Sequence, residues 1–412
     1  MDSGITNLVN YMNIVIQDLT NQNQQLQKRV WILQQPYFQQ MNIWKTWRDY
    51  NVDGSGVIIG ILDDGIDNTH SDLVIQDFIS YGCDGNGYIP RMNTETSGTN
   101  CAGIIGAKGN EFMLGIAHGA TIGSIKIRGI GSIIYNPFHP SYHIYNCNWR
   151  DVNSINYKDM ILEQTHIGRN NLGSIFVMNQ YAGELLNNPF VIGVGTENTG
   201  HTSKLLCYAP HENIITTNPI LYNGSPLKMN FREMASVSCV SGMIALLLQK
   251  YPNLTIREIR QLISESCVQI YPEDEAWVLN GVGKSYHSFY GFGLLMADHL
   301  LQNALTFQSF MPFLLDTNQI LCAESVTPLL TKTISILENR VIENVIFTFY
   351  PNENDINLTT FLKSPQNTTV IGDGMIEPFR GEQSNGTWTI LFQNSGNQSI
   401  LIQWYRLQIY CH

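Results

Sequence analysis

Acidic residues that directly follow an apolar run are the first candidates for chemistry in this chain. The run of residues 57–62 ends at Asp63 and Asp64, and His70 and Asp72 follow shortly after it. A carboxylate at the end of a buried strand can orient a catalytic side chain or accept hydrogen bonds from local backbone N–H groups. The residues alone are compatible with both uses.

The cysteines do not form the pattern of a metal site. The chain has eight, and they are scattered without a Cys-x-x-Cys pair, so a structural zinc site is not expected. Disulfide bonds are compatible with this number, but the spacing gives no pairing.

Composition excludes several classes of function. The 412 residues suggest two or three domains, and 43% hydrophobic residues are enough for sizeable cores. A net charge of −11 argues against a nucleic-acid-binding surface. No apolar stretch is long enough to predict a membrane-spanning helix. The start of the chain lacks the basic stretch and apolar core of a signal peptide, and composition does not settle the compartment.

The elements that must position the acidic residues alternate between strand-like and helical segments from about residue 35 to 305. The runs 57–62, 120–127 and 174–178 have no polar face, which predicts a parallel sheet covered by helices. Residues 236–250 form a strongly apolar segment that predicts a buried helix, and residues 256–267 predict a second helix.

The character of the chain changes after residue 305. Residues 306–320 are irregular and are interpreted as a linker. From residue 321 to 412, strand-like runs such as 345–350, 388–392 and 400–410 alternate with turn clusters. Short strands at this spacing predict a β-sandwich.

Residues 1–34 predict one further helix. Apolar residues between positions 8 and 33 follow the alternating spacing of a coiled-coil seam, with polar interruptions at Gln22 and Arg29. The helix is interpreted either as docked on its own domain or as a site of self-association. Pro36 ends it.

Several segments together resemble subtilases of the kexin and furin type, the proprotein convertases. They are ILDDGID at 61–67 with HSDL at 70–73, GSIFV at 173–177, NGVG at 280–283, YGFGLL at 290–295, and SP and GTWT at 364–365 and 386–389. The resemblance implies an α/β subtilisin-like catalytic-type domain over residues 35–305. It also implies a β-sandwich P (Homo B) domain over residues 321–412.

The family's catalytic residues come in the order Asp, His, Asn, Ser, and the resemblance carries only the first over unchanged. Asp63 stands at the position of the aspartate. In the segment TSGTNCAG, Ser97 stands where the family has its histidine, and a hydroxyl has no useful basicity near neutral pH. His70 and His118 lie elsewhere in the pattern.

The oxyanion donor and the nucleophile also differ from the family pattern. Counting on from the GSIFV strand places Ala182, which has no side-chain donor, at the asparagine position, with Asn179 as an alternative after a local shift. Counting back from GMIAL at 242–246 places Met234 at the serine position. Ser236 is an alternative, but two residues along a helix correspond to about 200° of rotation.

The family cuts after paired basic residues and binds calcium, and both features are altered here. Asp64 stands where the family has a carboxylate in its substrate groove. Asn148 and Trp149 align with the first two residues of the family's groove segment Ser-Trp-Gly-Pro. The resemblance implies a calcium site at Asp72 and Glu111, since calcium takes oxygen ligands.

The sequence therefore predicts a pseudoprotease, a convertase-like protein that binds or scaffolds without cleaving peptides. Its partner would be a protein or peptide, such as a related convertase or its substrates. One alternative is an active serine endopeptidase with a rebuilt site, and another is a structural or surface interaction protein. The family is secretory or extracellular, although residues 1–34 show neither its signal peptide nor its long prodomain.

Overall fold

The computed structural model describes residues 35–83, 85–127, 138, 141–148, 155–196, 202–221, 224–232, 234–352, 357–396 and 398–412. The predicted N-terminal helix and Trp149 lie outside the described residues. All eight cysteines lie inside them, and none is disulfide-bonded there. None of the helices in the described ranges combines the length and hydropathy needed to span a bilayer.

Seven helices lie in the described part of the chain before residue 307. They are α1 (Pro36–Gln40), α2 (Ile43–Tyr50), α3 (Ser97–Gly106), α4 (Ile155–Asn171), α5 (Ala235–Lys250), α6 (Ile256–Glu265) and α7 (Ala297–Thr306). The backbone of α4 is non-helical at residues 168–170. Helix α5 is buried from Ala235 to Leu248, as its strongly apolar sequence predicts.

The same region contains thirteen described strands. They are β1 (Ile58–Asp63), β2 (Tyr81–Gly82), β3 (Thr121–Lys126), β4 (Ile144–Cys147), β5 (Ile175–Asn179), β6 (Ile192–Gly195), β7 (Cys207–Tyr208), β8 (Ile214–Thr217), β9 (Leu227–Phe231), β10 (Cys267–Val268), β11 (Trp277–Leu279), β12 (Ser285–His287) and β13 (Leu294–Leu295). Nine of them form one sheet in the order β10-β13-β7-β6-β5-β4-β1-β3-β2. All its neighbours pair in parallel except β10 and β13, so the predicted parallel sheet is confirmed.

The nine described strands after residue 307 form two antiparallel sheets. They are β14 (Phe313–Asp316), β15 (Ile320–Val326), β16 (Leu329–Ile336), β17 (Ile342–Pro351), β18 (Leu358–Lys363), β19 (Thr369–Ile371), β20 (Gly374–Ile376), β21 (Gly386–Asn394) and β22 (Ile400–Cys411). Side chains from both sheets, such as Phe347 of β17 and Trp388 of β21, share one core, as in a β-sandwich.

The boundary between the two parts differs from the predicted linker. Residues 313–316, predicted to be part of an irregular linker, form β14 and pair with the end of β22. The paired residues are almost a hundred positions apart in the sequence. The segment 313–316 is too short for its periodicity to predict a strand.

The two parts meet through buried ionic and polar contacts. Arg260 of α6 pairs with Glu377 of the C-terminal part, and Arg380 pairs with the same carboxylate; all three side chains are buried. Asn280 donates from Nδ2 to the carbonyl oxygens of Pro378 and Arg380, at 3.0 and 2.9 Å. These contacts connect the parallel-sheet part directly to the sandwich.

Candidate functional site

The candidate site lies at the carboxyl edge of the parallel sheet. β1, β4 and β5 are neighbours in that sheet. Asp63 ends β1, Asn148 follows β4 and Asn179 ends β5. Because parallel strands present their carboxyl ends at one edge, these three predicted positions are brought together there.

Asp63 is held by groups other than an imidazole. Its carboxylate accepts a hydrogen bond from the backbone N–H of Asp64 at 2.8 Å, and the Cys101 Sγ lies 3.9 Å from it. The Asn148 side chain also hydrogen-bonds to it. Burial raises the pKa of Asp63 well above its ordinary value, and repulsion from Asp64 adds to this effect. No histidine contacts Asp63 among the residues that the structure describes.

Cys101 is a contact of Asp63 that the sequence reasoning did not identify. It is fully buried, and the Asn148 Nδ2 lies 3.2 Å from its sulfur. Burial raises the pKa of the Cys101 thiol, and the negative charge of Asp63 raises it further. A buried thiol with a raised pKa is a poor nucleophile, so Cys101 is not a candidate for nucleophilic catalysis.

Asp64 supports the helix that carries Ser97. Its two carboxylate oxygens accept from the backbone N–H groups of Ser97 and Gly98, at 3.1 and 2.8 Å. These are unpaired donors of the first turn of α3, and a carboxylate there is favourable. Burial raises the pKa of Asp64 in spite of these bonds. Asp64, which was predicted to be a groove carboxylate, caps the first turn of α3, and a role in a groove stays a prediction.

Ser97 is placed near the carboxyl end of β1 by the close approach of α3 to the turn after that strand. A Cβ added at Gly98 would lie 2.3 Å from the Gly65 carbonyl oxygen and 3.3 Å from the Asp63 Cβ. Only a residue without a side chain fits there. Ser97, half-buried at the first position of α3, therefore stands beside the carboxyl end of β1.

Met234 stands at the start of α5, where it packs partly buried against the main hydrophobic core. Ser236, the alternative nucleophile, is fully buried. Its hydroxyl donates to the Ala209 carbonyl oxygen at 2.6 Å, with the Pro210 carbonyl oxygen at 3.3 Å. This hydroxyl is therefore engaged with the loop that follows β7.

The two candidates for the oxyanion donor have different environments. Ala182 is fully buried in a second hydrophobic cluster and offers no side-chain donor. Asn179 accepts from the Tyr181 N–H through Oδ1 at 2.9 Å, which fixes the orientation of its amide at the end of β5. The Nδ2 of Asn179 is thus a side-chain donor at the end of β5.

His70 and His118, which lie outside the position of the family's catalytic histidine, contact backbone groups. The His70 Nε2 lies 2.8 Å from the Pro226 carbonyl oxygen, and its Nδ1 lies 3.1 Å from the Asp72 nitrogen. The His118 Nδ1 lies 3.3 Å from the Gly115 carbonyl oxygen. His139 and His201 lie outside the described residues.

The calcium site that the resemblance implies does not fit the residues present. The Asp72 carboxylate is buried and accepts three backbone N–H groups, from Glu111, Phe112 and Met113, at 2.6, 2.7 and 2.9 Å. The Glu111 carboxylate instead accepts from the Ser71 hydroxyl at 3.1 Å. Calcium needs six to eight oxygen ligands, whereas the loop presents N–H donors to Asp72. Among the described residues, no group of three potential metal-ligating acids, histidines or cysteines is present.

Comparison with known proteins identifies the family. A sequence model of the subtilase family, Peptidase_S8, matches residues 54–177, which include β1, α3, β3, β4 and the start of β5. The chain contains a subtilase domain, and its relatives include proprotein convertases of the subtilisin/kexin type. Human proprotein convertase subtilisin/kexin type 6 is 27% identical over 310 residues, covering 64% of this subtilase and 32% of that protein. Human proprotein convertase subtilisin/kexin type 4 is 26% identical over 473 residues, covering 91% of this subtilase and 61% of that protein.

A solved structure supports the architecture of both parts. The serine protease of Aeromonas sobria superposes with a TM-score of 0.76, covering 90% of this subtilase and 91% of that chain, at 17% identity. This likeness shows the fold: a subtilisin-like α/β core followed by an antiparallel β-rich region. The subtilase spans about a third to three fifths of the length of the two human convertases.

Proposed function

We propose that this subtilase is a pseudoprotease that acts by binding a protein or peptide without hydrolysing it. The observation that carries the proposal is the environment of Asp63. Its carboxylate contacts Asn148, Cys101 and a backbone N–H, and a raised pKa favours its neutral form. An aspartate that orients a catalytic histidine must instead be ionised to stabilise the imidazolium.

The side chains at the other positions support the same proposal. Ser97 cannot accept a proton near neutral pH, and the thioether of Met234 is not an acyl-transfer nucleophile. In subtilisin, loss of the serine or the histidine alone lowers turnover by about 10⁶-fold. Loss of both leaves too little activity for a processing enzyme. Asn179 could still provide an oxyanion donor, but a donor alone does not supply the nucleophile.

The partner is proposed from the groove that such a fold retains. A subtilase cleft binds an extended peptide, so a related convertase or one of its substrates is the partner class that fits. The Aeromonas sobria serine protease has been solved in complex with a chaperone, so a protein of this fold can form a stable complex with another protein. The proposal does not include recognition of paired basic residues, because the Asp64 carboxylate already accepts hydrogen bonds from two N–H groups at the start of α3.

The test is covalent labelling with a fluorophosphonate probe, which reports a nucleophilic serine directly. The wild-type protein is expected to remain unlabelled, as is the matched control Ser236→Ala. A Ser97→His/Met234→Ser double variant restores the residue types that the family uses and is expected to label above both. Labelling of the wild type that Ser236→Ala abolishes would instead establish the rebuilt active site, and any other wild-type labelling would also overturn the proposal.

A further inference from the structure

A second cavity lies between the parallel-sheet part and the sandwich. Its volume is about 540 Å³, within the range of ligand-binding clefts. The parallel-sheet part contributes residues 202–203 and the hairpin β11–β12 to its lining, and the sandwich contributes residues 368–371 and Pro378. None of these described residues belongs to the candidate site around Asp63. The cavity is therefore a concave surface that the candidate site does not use.

One face of the hairpin β11–β12 forms an apolar side of this cavity. Val278 and Tyr286 stand directly opposite each other in the hairpin, and Ala276 lies on the same face, because side chains alternate along a strand. All three residues line the cavity. Val278 is 55% exposed, whereas the Tyr286 hydroxyl donates to the Leu205 carbonyl oxygen at 3.1 Å. Since that hydroxyl already has a partner, the tyrosine ring and Val278 present an apolar surface to the cavity.

The other side of the cavity is the outer edge of a strand. β19 is the last strand of its sheet, which has the order β16-β21-β18-β19. Its three residues, Thr369, Val370 and Ile371, all line the cavity. Consecutive side chains of a strand point to opposite faces of the sheet, so all three residues line one cavity only if β19 presents its edge to it.

The pairing of β18 and β19 shows which backbone groups lie on that edge. The Gly372 N–H donates to the Thr360 carbonyl oxygen at 3.0 Å. Hydrogen-bonded pairs alternate along an antiparallel ladder, so the N–H and C=O groups of Val370 face β18, and those of residues 369 and 371 point away from it. Within the described part of the chain, these outward groups have no hydrogen-bond partner. The edge of β19 can therefore pair with a further strand.

The lining of the cavity carries no charge. Every described residue that lines it is neutral. Glu377 and Lys204 adjoin lining residues in the sequence, but Glu377 pairs with two buried arginines and Lys204 is attracted to Asp373. An ionised side chain that entered the cavity would lose its water without gaining a partner of opposite charge, which is costly. The cavity therefore favours uncharged side chains.

We propose that this cavity binds an extended, uncharged segment of a protein partner, which adds as a strand to the outer edge of β19. The main chain of the segment pairs with residues 369 and 371, and alternate side chains pack on Val278 and Tyr286. In strand addition, main-chain bonds supply affinity and side-chain pockets supply specificity. The inference does not depend on whether the subtilase is catalytically inactive, because no residue of the candidate site takes part.

Fluorescence anisotropy tests the proposal with one probe, a capped and fluorescein-labelled Val-Thr-Val-Thr-Val-Thr peptide. The full chain is expected to bind it. Ile371→Pro removes an N–H that points away from β18, and proline is tolerated at such positions on edge strands. This variant is expected to weaken binding by about tenfold. Thr333→Pro is the control, since it removes an N–H on β16 at the opposite edge of the same sheet, and it should leave the affinity unchanged.

Methylated peptides keep the test decisive if Ile371→Pro does not fold. Methylation of one alternate set of peptide nitrogens removes the donors that face β19 and is expected to weaken binding to wild type by about tenfold. Methylation of the other set, which faces away from β19, should change the affinity little. Equal affinities of the unmethylated and both methylated peptides would contradict strand addition, as would the absence of binding at about 1 mM protein.

A charge placed in the cavity tests the side-chain contact. Val278→Asp is expected to weaken binding of the same peptide by about tenfold or more, because the described lining offers no cation to pair with the new carboxylate. Val74→Asp changes a valine of similar exposure (47%) outside the cavity lining and is the control. Unchanged affinity of Val278→Asp would place the peptide elsewhere, for example in the cleft beside Asp63, and would overturn the proposal.

Discussion

At the scale of single residues, Asp63 combines the position predicted for the family's aspartate with an environment in which no described histidine contacts it. The family motif around it is intact, and its strand ends at the expected edge of the sheet. Its carboxylate is nevertheless surrounded by an amide, a thiol and a backbone N–H. Burial without a cationic partner raises the pKa of a carboxyl group, which is the opposite of what an aspartate beside an imidazolium experiences.

Asp63→Asn is expected to stabilise the protein by about 1 to 3 kcal/mol at pH 7, the range for a buried polar group that is not fully compensated. Because the folded pKa lies above the unfolded one, ionisation in the unfolded state lowers stability as pH rises from 3.8 towards the folded pKa. The stabilisation by Asp63→Asn should therefore disappear below pH 3.8, the ordinary pKa of an aspartate. Urea unfolding of both proteins between pH 3.5 and about 8 measures this difference.

Asp49→Asn is the matched control, since Asp49 is exposed and a hydrogen bond from Arg48 lowers its pKa. It should not stabilise the protein at pH 7. If Asp63→Asn were destabilising at pH 7, Asp63 would be ionised and paired with a cation, as in a working triad.

At the scale of elements, the contact between α3 and the turn after β1 fixes the geometry of the candidate site. Asp64 accepts from two N–H groups of the first turn of α3, and Gly98 lets the helix approach the Gly65 carbonyl oxygen. The Gly65 backbone itself has φ 111°, a conformation that favours glycine. The site is thus positioned by backbone packing that does not depend on catalytic side chains.

Gly98→Ala is expected to lower the free energy of unfolding by about 1 to 3 kcal/mol, as for overpacking of a tight site. The added Cβ would meet the Gly65 carbonyl oxygen at 2.3 Å, so backbone must move. Ser97→Ala, the preceding residue on the same helix turn, is the control and should change stability by less than about 0.5 kcal/mol. Equal stabilities of Gly98→Ala and wild type in urea unfolding would show that the helix is not held against this turn.

At the scale of the whole molecule, a buried ionic cluster joins the parallel-sheet part to the sandwich. Glu377 balances Arg260 and Arg380, and the Glu343 carboxylate binds Arg257 of α6 at 2.7 Å. Burial alone would raise the pKa of Glu343, but hydrogen bonds from His412 and Arg257 outweigh it, and its pKa is lowered.

Glu377→Ala is expected to cost about 3 to 5 kcal/mol, because it leaves two buried guanidinium groups without their carboxylate. The two parts should then unfold in separate calorimetric transitions. Glu324→Ala breaks a solvent-exposed ion pair with Lys332 in the same sandwich and should cost less than about 1 kcal/mol. A single transition with unchanged midpoint for Glu377→Ala would show that the cluster does not couple the two parts.

The sequence by itself determined the architecture of this protein. Predominantly apolar runs predicted β1, β3, β5 and α5 to within a residue or two, because burial on every side leaves a local signal. Short strands at regular spacing predicted the antiparallel region. Motif register also placed Asp63, Ser97 and Met234 at the family's catalytic positions, and their roles there remain predictions.

Only the tertiary structure decided which groups meet in the candidate site. Cys101 reaches Asp63 across 38 residues of sequence and Asn148 across 47 residues, and neither contact leaves a periodic pattern. The same reason applies to the N–H groups around Asp72, to β14 and to the Arg260–Glu377 pair. Local periodicity reports which side of an element is buried, whereas the identity of the group against it depends on how distant segments pack.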